Sequence, residues 1–401
     1  MPITAPSSYP GPIRTDTSNP FARHTMAVRV PAILASVLEA NREYGSSVRE
    51  AVVGLAEGLK GDGSLPGLGA NALHAEPWPR ELARRAGETW LGTDWFFAET
   101  YAYRCLIERT HYWQTGRDPF GPTKLAETSS EGFGTALQAA LELGGACEER
   151  LHALLGASWF GNRMDLSFAA ARERGTLVHA SDCLADQREL AVEHVLRSSG
   201  AVHIVCDNAG TELAMDLALT DYLLDELKAS VVLHVKRHPT FVSDATAEDV
   251  HAFLQGSLPA TARTSLARRA LARLSAAREA GLLLIEPHLF WNGPEPLWQM
   301  PSLLKERFAQ ARLVILKGDA NYRRALGDAL WPATTPFADV TDYFPAPLLA
   351  LRMLKSDPII GLRAQQVEEL DASDAEWRVN GRRGVASLGG APALGPGAKT
   401  S

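Results

Sequence analysis

Residues 202–221 read VHIVCDNAGTELAMDLALTD, and this stretch decides how the chain is understood. A short apolar run, 202–206, breaks into Asp207-Asn208-Ala209-Gly210, after which Leu213, Leu217 and the leucines up to Leu224 recur as on a buried helix. The pattern is strand, turn, helix. In open α/β sheets, ligands bind beyond the carboxyl ends of the strands, so a carboxylate and a carboxamide at this turn stand where chemistry is usually done. Their oxygens are hard ligands that suit Mg²⁺ or Mn²⁺. Asp and Asn also shape turns and cap helices, and for these two residues alone that plainer role stays open.

Working outward, apolar runs at 201–206, 230–235, 281–285, 311–316 and 348–354 alternate with helical patterns at 187–197, 213–228, 247–254, 265–280 and 303–310. Strands alternating with helices imply parallel crossover units, hence a three-layer α/β/α sandwich with a mainly parallel sheet over residues 157–381. Ahead of it, residues 21–156 carry helical periodicity, with Val30, Ile33, Leu34, Val37 and Leu38 on one face, and form an N-terminal helical domain. Residues 1–20 are rich in Pro, Ser and Thr and read as an irregular arm. Residues 382–401 are rich in Gly, Ala and Pro and read as a disordered tail.

The surface chemistry excludes several classes. A net charge of −7 leaves no basic footprint for nucleic acid or anionic lipid. Arg268-Arg269 and Arg382-Arg383 read as solvated charges. No segment approaches a membrane span, and the first residues lack the apolar core of a signal peptide. The cysteines Cys105, Cys147, Cys183 and Cys206 lie far apart with no CxxC spacing, which argues for a reducing cytoplasm and against a zinc site. There is no GxxxxGK[ST], no GxGxxG after a strand and no GxSxG. His234, inside an apolar run, reads as a core histidine, and Trp291, Trp298 and Trp331 read as core or pocket wall.

Three strands end in polar clusters: Asp207-Asn208; Lys236 to Asp244; and Lys317-Gly318-Asp319-Ala320-Asn321-Tyr322-Arg323-Arg324. If the strands are parallel, these ends converge, bringing Asp207, Asn208 and Asp244 near Lys317, Asp319, Asn321 and Arg323. Carboxylates beside cations suggest a metal next to an anion, and so phosphoryl chemistry. A divalent cation polarises phosphoryl oxygens while Lys and Arg neutralise the remaining charge. Gly318 lets the backbone approach a phosphate. In the run 351–355, alternation puts Arg352 and Leu354 on one strand face and Met353 and Lys355 on the other, which makes Lys355 the inward ligand if that run is a strand. Asp244 as a helix cap and 317–324 as a charged surface loop are the plainer alternatives.

Several segments together resemble the domain-of-unknown-function-89 family, specifically its damage-control phosphatase and acidic-residue methyltransferase-like subgroup. They are WFFAETYAYR (95–104), RDPF (117–120), WFGNRMDLS (159–167), CDNAGTEL (206–213), HPTFVSDAT (238–246), KGDANYRRALGD (317–328) and LRMLKSD (351–357). The resemblance implies an N-terminal helical domain on an α/β/α sandwich, and a metal-dependent phosphatase of sugars or damaged phosphometabolites, such as fructose-1-phosphate-like compounds. It implies a divalent ion (Mn²⁺, Co²⁺, Ni²⁺ or Mg²⁺) on Asp207, Asn208 and Asp244. Substrate would be bound by Asp319, Asn321, Tyr322 and Arg323, with Lys317, Arg352 and the catalytic Lys355 beside it. Asp207 as nucleophile and a metal-activated water as nucleophile both stay open. Met353 stands where the subgroup's Arg-Thr-x-Lys signature has threonine. Glu99, Asn162 and Asp165 fall in matching segments without assigned roles. Two alternatives accompany this expectation: an S-adenosylmethionine-dependent carboxyl methyltransferase, and a metal- and phosphate-binding protein without turnover. The partner expected is a small phosphorylated molecule.

Overall fold

A computed structural model of the chain describes residues 5–390 except 7, 70, 162–181, 257, 260 and 261. Asn162, Asp165 and His179 lie outside the described residues. The N-terminal part carries α1 (Val30–Ala40), α2 (Ser46–Lys60), α3 (Trp95–Arg109), α4 (Gly121–Thr128), α5 (Glu131–Leu141) and α6 (Cys147–Phe160). Then come β1 (Cys183–Asp186), α7 (Arg188–Arg197), β2 (Val202–Val205), α8 (Thr211–Asp225), β3 (Val231–Lys236), α9 (Ala247–Leu254), α10 (Ser265–Glu279) and β4 (Leu283–His288). The chain continues through α11 (Ser302–Phe308), β5 (Leu313–Lys317), α12 (Asp319–Leu326), β6 (Leu348–Met353), α13 (Ala364–Ser373) and β7 (Gly384–Gly389).

The sheet has the order β1-β7-β6-β5-β2-β3-β4, parallel except for the β6–β7 pair. Both faces are covered, and period-two alternation sorts side chains between two cores. Val202, Ile204, Val231, Leu233, Leu313 and Ile315 pack under α5, α6, α8 and α10. Val205, Val314, Leu316, Leu348 and Ala350 face Trp291, Phe308, Tyr322 and Phe337. Strands buried on both faces read as continuous apolar runs, which is why five of them are legible in the sequence. A third core, with Leu34, Leu55, Trp90, Trp95, Phe97 and Tyr101, holds the N-terminal helices together.

Two features depart from the expected layout. Helix α5 lies before the boundary expected at residue 157 and α6 runs across it, yet their side chains belong to the sandwich core with those of α8. Residues 384–389 lie in the stretch read as a disordered tail, but they form β7 and are buried. Small residues conceal that strand in the sequence and permit it in the fold. A Cβ on Gly384 would meet the Arg352 carbonyl and Trp159, and one on Gly389 would meet Thr341 and Phe337. No helix among the described residues is long and apolar enough to cross a membrane.

Candidate active site

Register builds the site. Val202 to Val205 pair with Leu313 to Leu316 on one side and Val231 to His234 on the other, so the strands end together and their polar turns share one edge. Backbone bonds then join the turns after β2 and β3. The Ala245 N–H donates to the Asp207 carbonyl at 2.7 Å, the Ala209 N–H donates to the Ser243 carbonyl at 2.6 Å, and Asn208 and Asp244 form an antiparallel bridge. Asp207, Asn208, Ser243 and Asp244 are thereby held as one unit. The loop runs through Phe241 at φ +47° and Val242 at φ +73°. A left-handed β-branched residue costs about 1–3 kcal/mol and persists only where its surroundings over-determine it. Here the Phe241 ring packs on Tyr103 of α3, with ring centroids 5.1 Å apart.

Over this unit lies a cavity of about 380 Å³. Asp207, Asn208, Ser243 and Asp244 line it from the sheet, Asp319 and Arg323 from the start of α12, Lys355 and Ser356 from beyond β6, and Arg29, Trp95 and Glu99 from the helical part. Asn208 is held in one orientation: its Nδ2 donates to Asp207 and Glu212, each at 2.9 Å, and its Oδ1 accepts from Ser243 Oγ at 2.6 Å. The carboxamide oxygen therefore stands on the Ser243 side. Burial, followed by the charges of Glu212 and Asp244, pushes the Asp207 carboxyl well above the usual carboxylate range. Asp244 is likewise raised by burial, although Lys236 at 3.2 Å pulls it back. Gly318, at φ +84°, packs against the Asp207 side chain, where a Cβ would collide with the carboxylate. The residue expected to approach a phosphate instead makes room for Asp207.

The other sequence candidates separate into cavity residues and supports. Lys317, expected among the anion-binding cations, lies under the floor, its Nζ donating to Glu212 at 2.9 Å and Asp216 at 2.8 Å. Because Glu212 also accepts from Asn208, Lys317 acts on the turn through that carboxylate. Asn321 is buried below the cavity and donates to the Lys317 carbonyl at 2.9 Å. Tyr322 stacks on Phe337, with its hydroxyl accepting from the Ile360 N–H at 3.3 Å. Arg352 is buried too, holding Asp319 Oδ1 at 2.7 Å and the Ser356 carbonyl at 2.8 Å. Burial opposes ionisation of Asp319, but Arg352 and Arg323 outweigh it and hold the carboxyl below its ordinary value. Arg323 does line the cavity, with its guanidinium engaged by Glu99 at 2.8 Å and by Asp328 at 2.6 Å. Lys355 lies past the end of β6, so loop geometry rather than strand alternation brings it to the rim. Asp244 does not cap α9, since that role falls to Thr246.

Sequence reasoning passed over Arg29, Trp95, Ser243 and Glu212 as site residues. Trp95, Ser243 and Glu212 lie in the segments quoted for the family resemblance, and Glu212 also stands four residues after Asn208 on the first turn of α8, where i and i+4 side chains meet; Arg29 carried no signal. Among the described residues, no three carboxylate, imidazole or thiol side chains form a metal-binding group by themselves. The oxygens of Asp207, Asn208 and Asp244 are nonetheless hard donors, and the burial and neighbouring carboxylates that disfavour the charged form of Asp207 are what a bound cation would offset.

Residues 25–370 match the family model described as the damage-control phosphatase ARMT1-like domain. The chain is 28% identical over 429 residues to damage-control phosphatase ARMT1 of Mus musculus, covering 92% of this chain and 96% of that protein. It is 28% identical over 424 residues to damage-control phosphatase ARMT1 of Danio rerio, covering 91% and 94%. A crystal structure of a DUF89 family protein from Pyrococcus horikoshii shares 17% identity with a TM-score of 0.50, over 92% of this chain and 98% of that one. At that identity the likeness speaks for the fold alone.

Proposed function

The chain belongs to the damage-control phosphatase ARMT1-like family, and from that premise we propose that it is a metal-dependent phosphatase of sugar phosphates or related damaged phosphometabolites, such as fructose-1-phosphate-like compounds. One observation carries the reading: two strand-end turns locked back to back bring Asp207, Asn208 and Asp244 to the floor of a cavity that also holds Lys355. These three residues would hold a divalent ion (Mn²⁺, Co²⁺, Ni²⁺ or Mg²⁺), which when bound supplies Lewis-acid polarisation of the phosphoryl oxygens.

The chain's own groups do the rest. The Lys355 ammonium makes no hydrogen bond or ion pair among the described residues, its charge acting on the Asp207 carboxyl, and it neutralises charge on the transferred phosphoryl group. Glu212, braced by Lys317, keeps the Asn208 oxygen directed away from its own helix. Asp319 is a fixed acceptor at the α12 end of the cavity, positioned by Arg352 for a substrate hydroxyl. Arg323 and Glu99 form a rigid pair on the helical wall. Cys105, Cys147, Cys183 and Cys206 are all free thiols, which supports a cytoplasmic setting.

Phosphate release from a panel of sugar phosphates, by protein stripped of metal and reloaded with each ion, tests the proposal. Metal-restored turnover that disappears in Asp207→Ala is the expected result. Folded, metal-loaded protein that releases no phosphate from any member of the panel would overturn it.

A further inference from the structure

The charges lining the cavity are unequally committed. Arg323 is bound by Glu99 and Asp328, Asp319 by Arg352, and Asp244 by Lys236. Two cations are left, Lys355 and Arg29, and no described residue gives Arg29 an ion pair or a hydrogen bond. Arg29 closes a π-helical turn, Thr25–Arg29, set between the helix Pro20–His24 and α1. Such turns add a residue to the helical repeat, re-aim the side chains they carry, and are frequent at functional sites. The same wall holds Trp95, whose Nε1 is buried without a partner and whose ring face is covered by the Arg323 guanidinium 3.6 Å from its centroid. The indole therefore offers a donor at its edge rather than a face for stacking.

A phosphoryl group at Asp207, Asn208, Asp244 and Lys355 occupies only part of a 380 Å³ cavity, which is in the range that takes a whole small molecule. Resting on the phosphatase reading, we propose that Arg29 anchors a second anionic group of the substrate. The chain then prefers phosphomonoesters that carry a carboxylate or another phosphate at the end remote from the scissile group. A planar, permanently charged guanidinium suits either oxyanion, and truncating it removes a charge-assisted contact.

The test compares metal-loaded wild type, Arg29→Ala and Arg29→Lys on fructose 1-phosphate, fructose 1,6-bisphosphate and 6-phosphogluconate. Calorimetric binding of the same compounds to metal-free protein gives a readout without turnover. Arg29→Ala should raise KM and weaken binding about tenfold or more for at least one doubly anionic compound. The loss on fructose 1-phosphate should be several times smaller, kcat should change little, and Arg29→Lys should recover part of the affinity. Whether the bisphosphate or the phosphogluconate responds identifies the second anion as phosphate or carboxylate. Equal losses on all three compounds would make Arg29 a ligand of the scissile phosphate, and no loss on any would make it a surface residue; either overturns the proposal. Wild type that binds but never releases phosphate counts against the phosphatase reading alone, since the calorimetric contrast between wild type and Arg29→Ala still decides the role of Arg29.

Discussion

Gly318 holds a place no other residue can take without moving the site. Its φ of +84° is strained for any side chain, and a Cβ would strike the Asp207 carboxylate. Gly318→Ala should cost about 1–3 kcal/mol of stability and displace Asp207, so metal affinity measured by calorimetry should fall while the far-ultraviolet spectrum stays native. Lys317 makes the opposite case, a residue whose type suggested substrate contact and whose position is structural. Lys317→Met leaves Glu212 and Asp216 buried without their cation, and removing one partner of such a cluster costs about 3–5 kcal/mol. Its signature should be a large fall in the denaturation midpoint, not a selective rise in KM. Trp95→Phe separates binding from folding. It keeps an aromatic ring under Arg323 and removes a buried donor that has no partner, so the melting temperature should hold while KM rises several-fold.

At the level of elements, the turn carrying Asp207 and Asn208 is secured from the helical part. Glu127 of α4 accepts from the Thr211 N–H at 2.8 Å and sits over Gly210, so its carboxylate caps the N-terminus of α8 where no side chain of that helix does. An acceptor and a negative charge at a helix start are worth about 1 kcal/mol. Glu127→Ala should lower stability by that amount in a denaturant titration and loosen the turn, visible as faster amide exchange at Thr211. The strands show why some elements are easier to read than others. β2, β3 and β5 are apolar on both faces and legible as runs, whereas β1 and β7 consist of small or mixed residues that pair mainly with each other and with β6.

For the whole molecule, acid is the condition to probe. His203 Nδ1 and His234 Nε2 lie 2.9 Å apart between the sheet and Phe308. Burial pushes His203 down to about 4 and His234 well below its ordinary value. Both imidazoles stay neutral in the fold, while in the unfolded chain they take up protons near pH 6.5. Folded values below unfolded ones mean that their contribution is complete above pH 6.5 and is lost as pH falls toward 4. A variant with both His203→Leu and His234→Leu should show a shallower decline in melting temperature across that window than wild type, and parallel curves would refute the assignment.

From the sequence alone came the α/β/α class, five of the seven strands within a few residues, and the placing of Asp207, Asn208 and Asp244 in the polar turns after two of those strands, whereas Lys355 reaches the same cavity from a loop and not from a strand face. Those follow from local rules: apolar runs bury, polar residues interrupt them, and parallel strands bring their ends to one edge. Which cations face the cavity was decided by tertiary structure. Lys317, Arg323 and Arg352 each meet a carboxylate from a distant part of the chain, Lys317 with Glu212 and Asp216, Arg323 with Glu99 as well as its near neighbour Asp328, and Arg352 with Asp319, and a charge so paired is spent on architecture. Arg29, on an undistinguished stretch of sequence, is left unspent because packing of the helical part against the sheet brings it to the rim, where it makes no ion pair or hydrogen bond among the described residues. Charge pairing between residues far apart in sequence has no periodicity, so only the folded chain could show it.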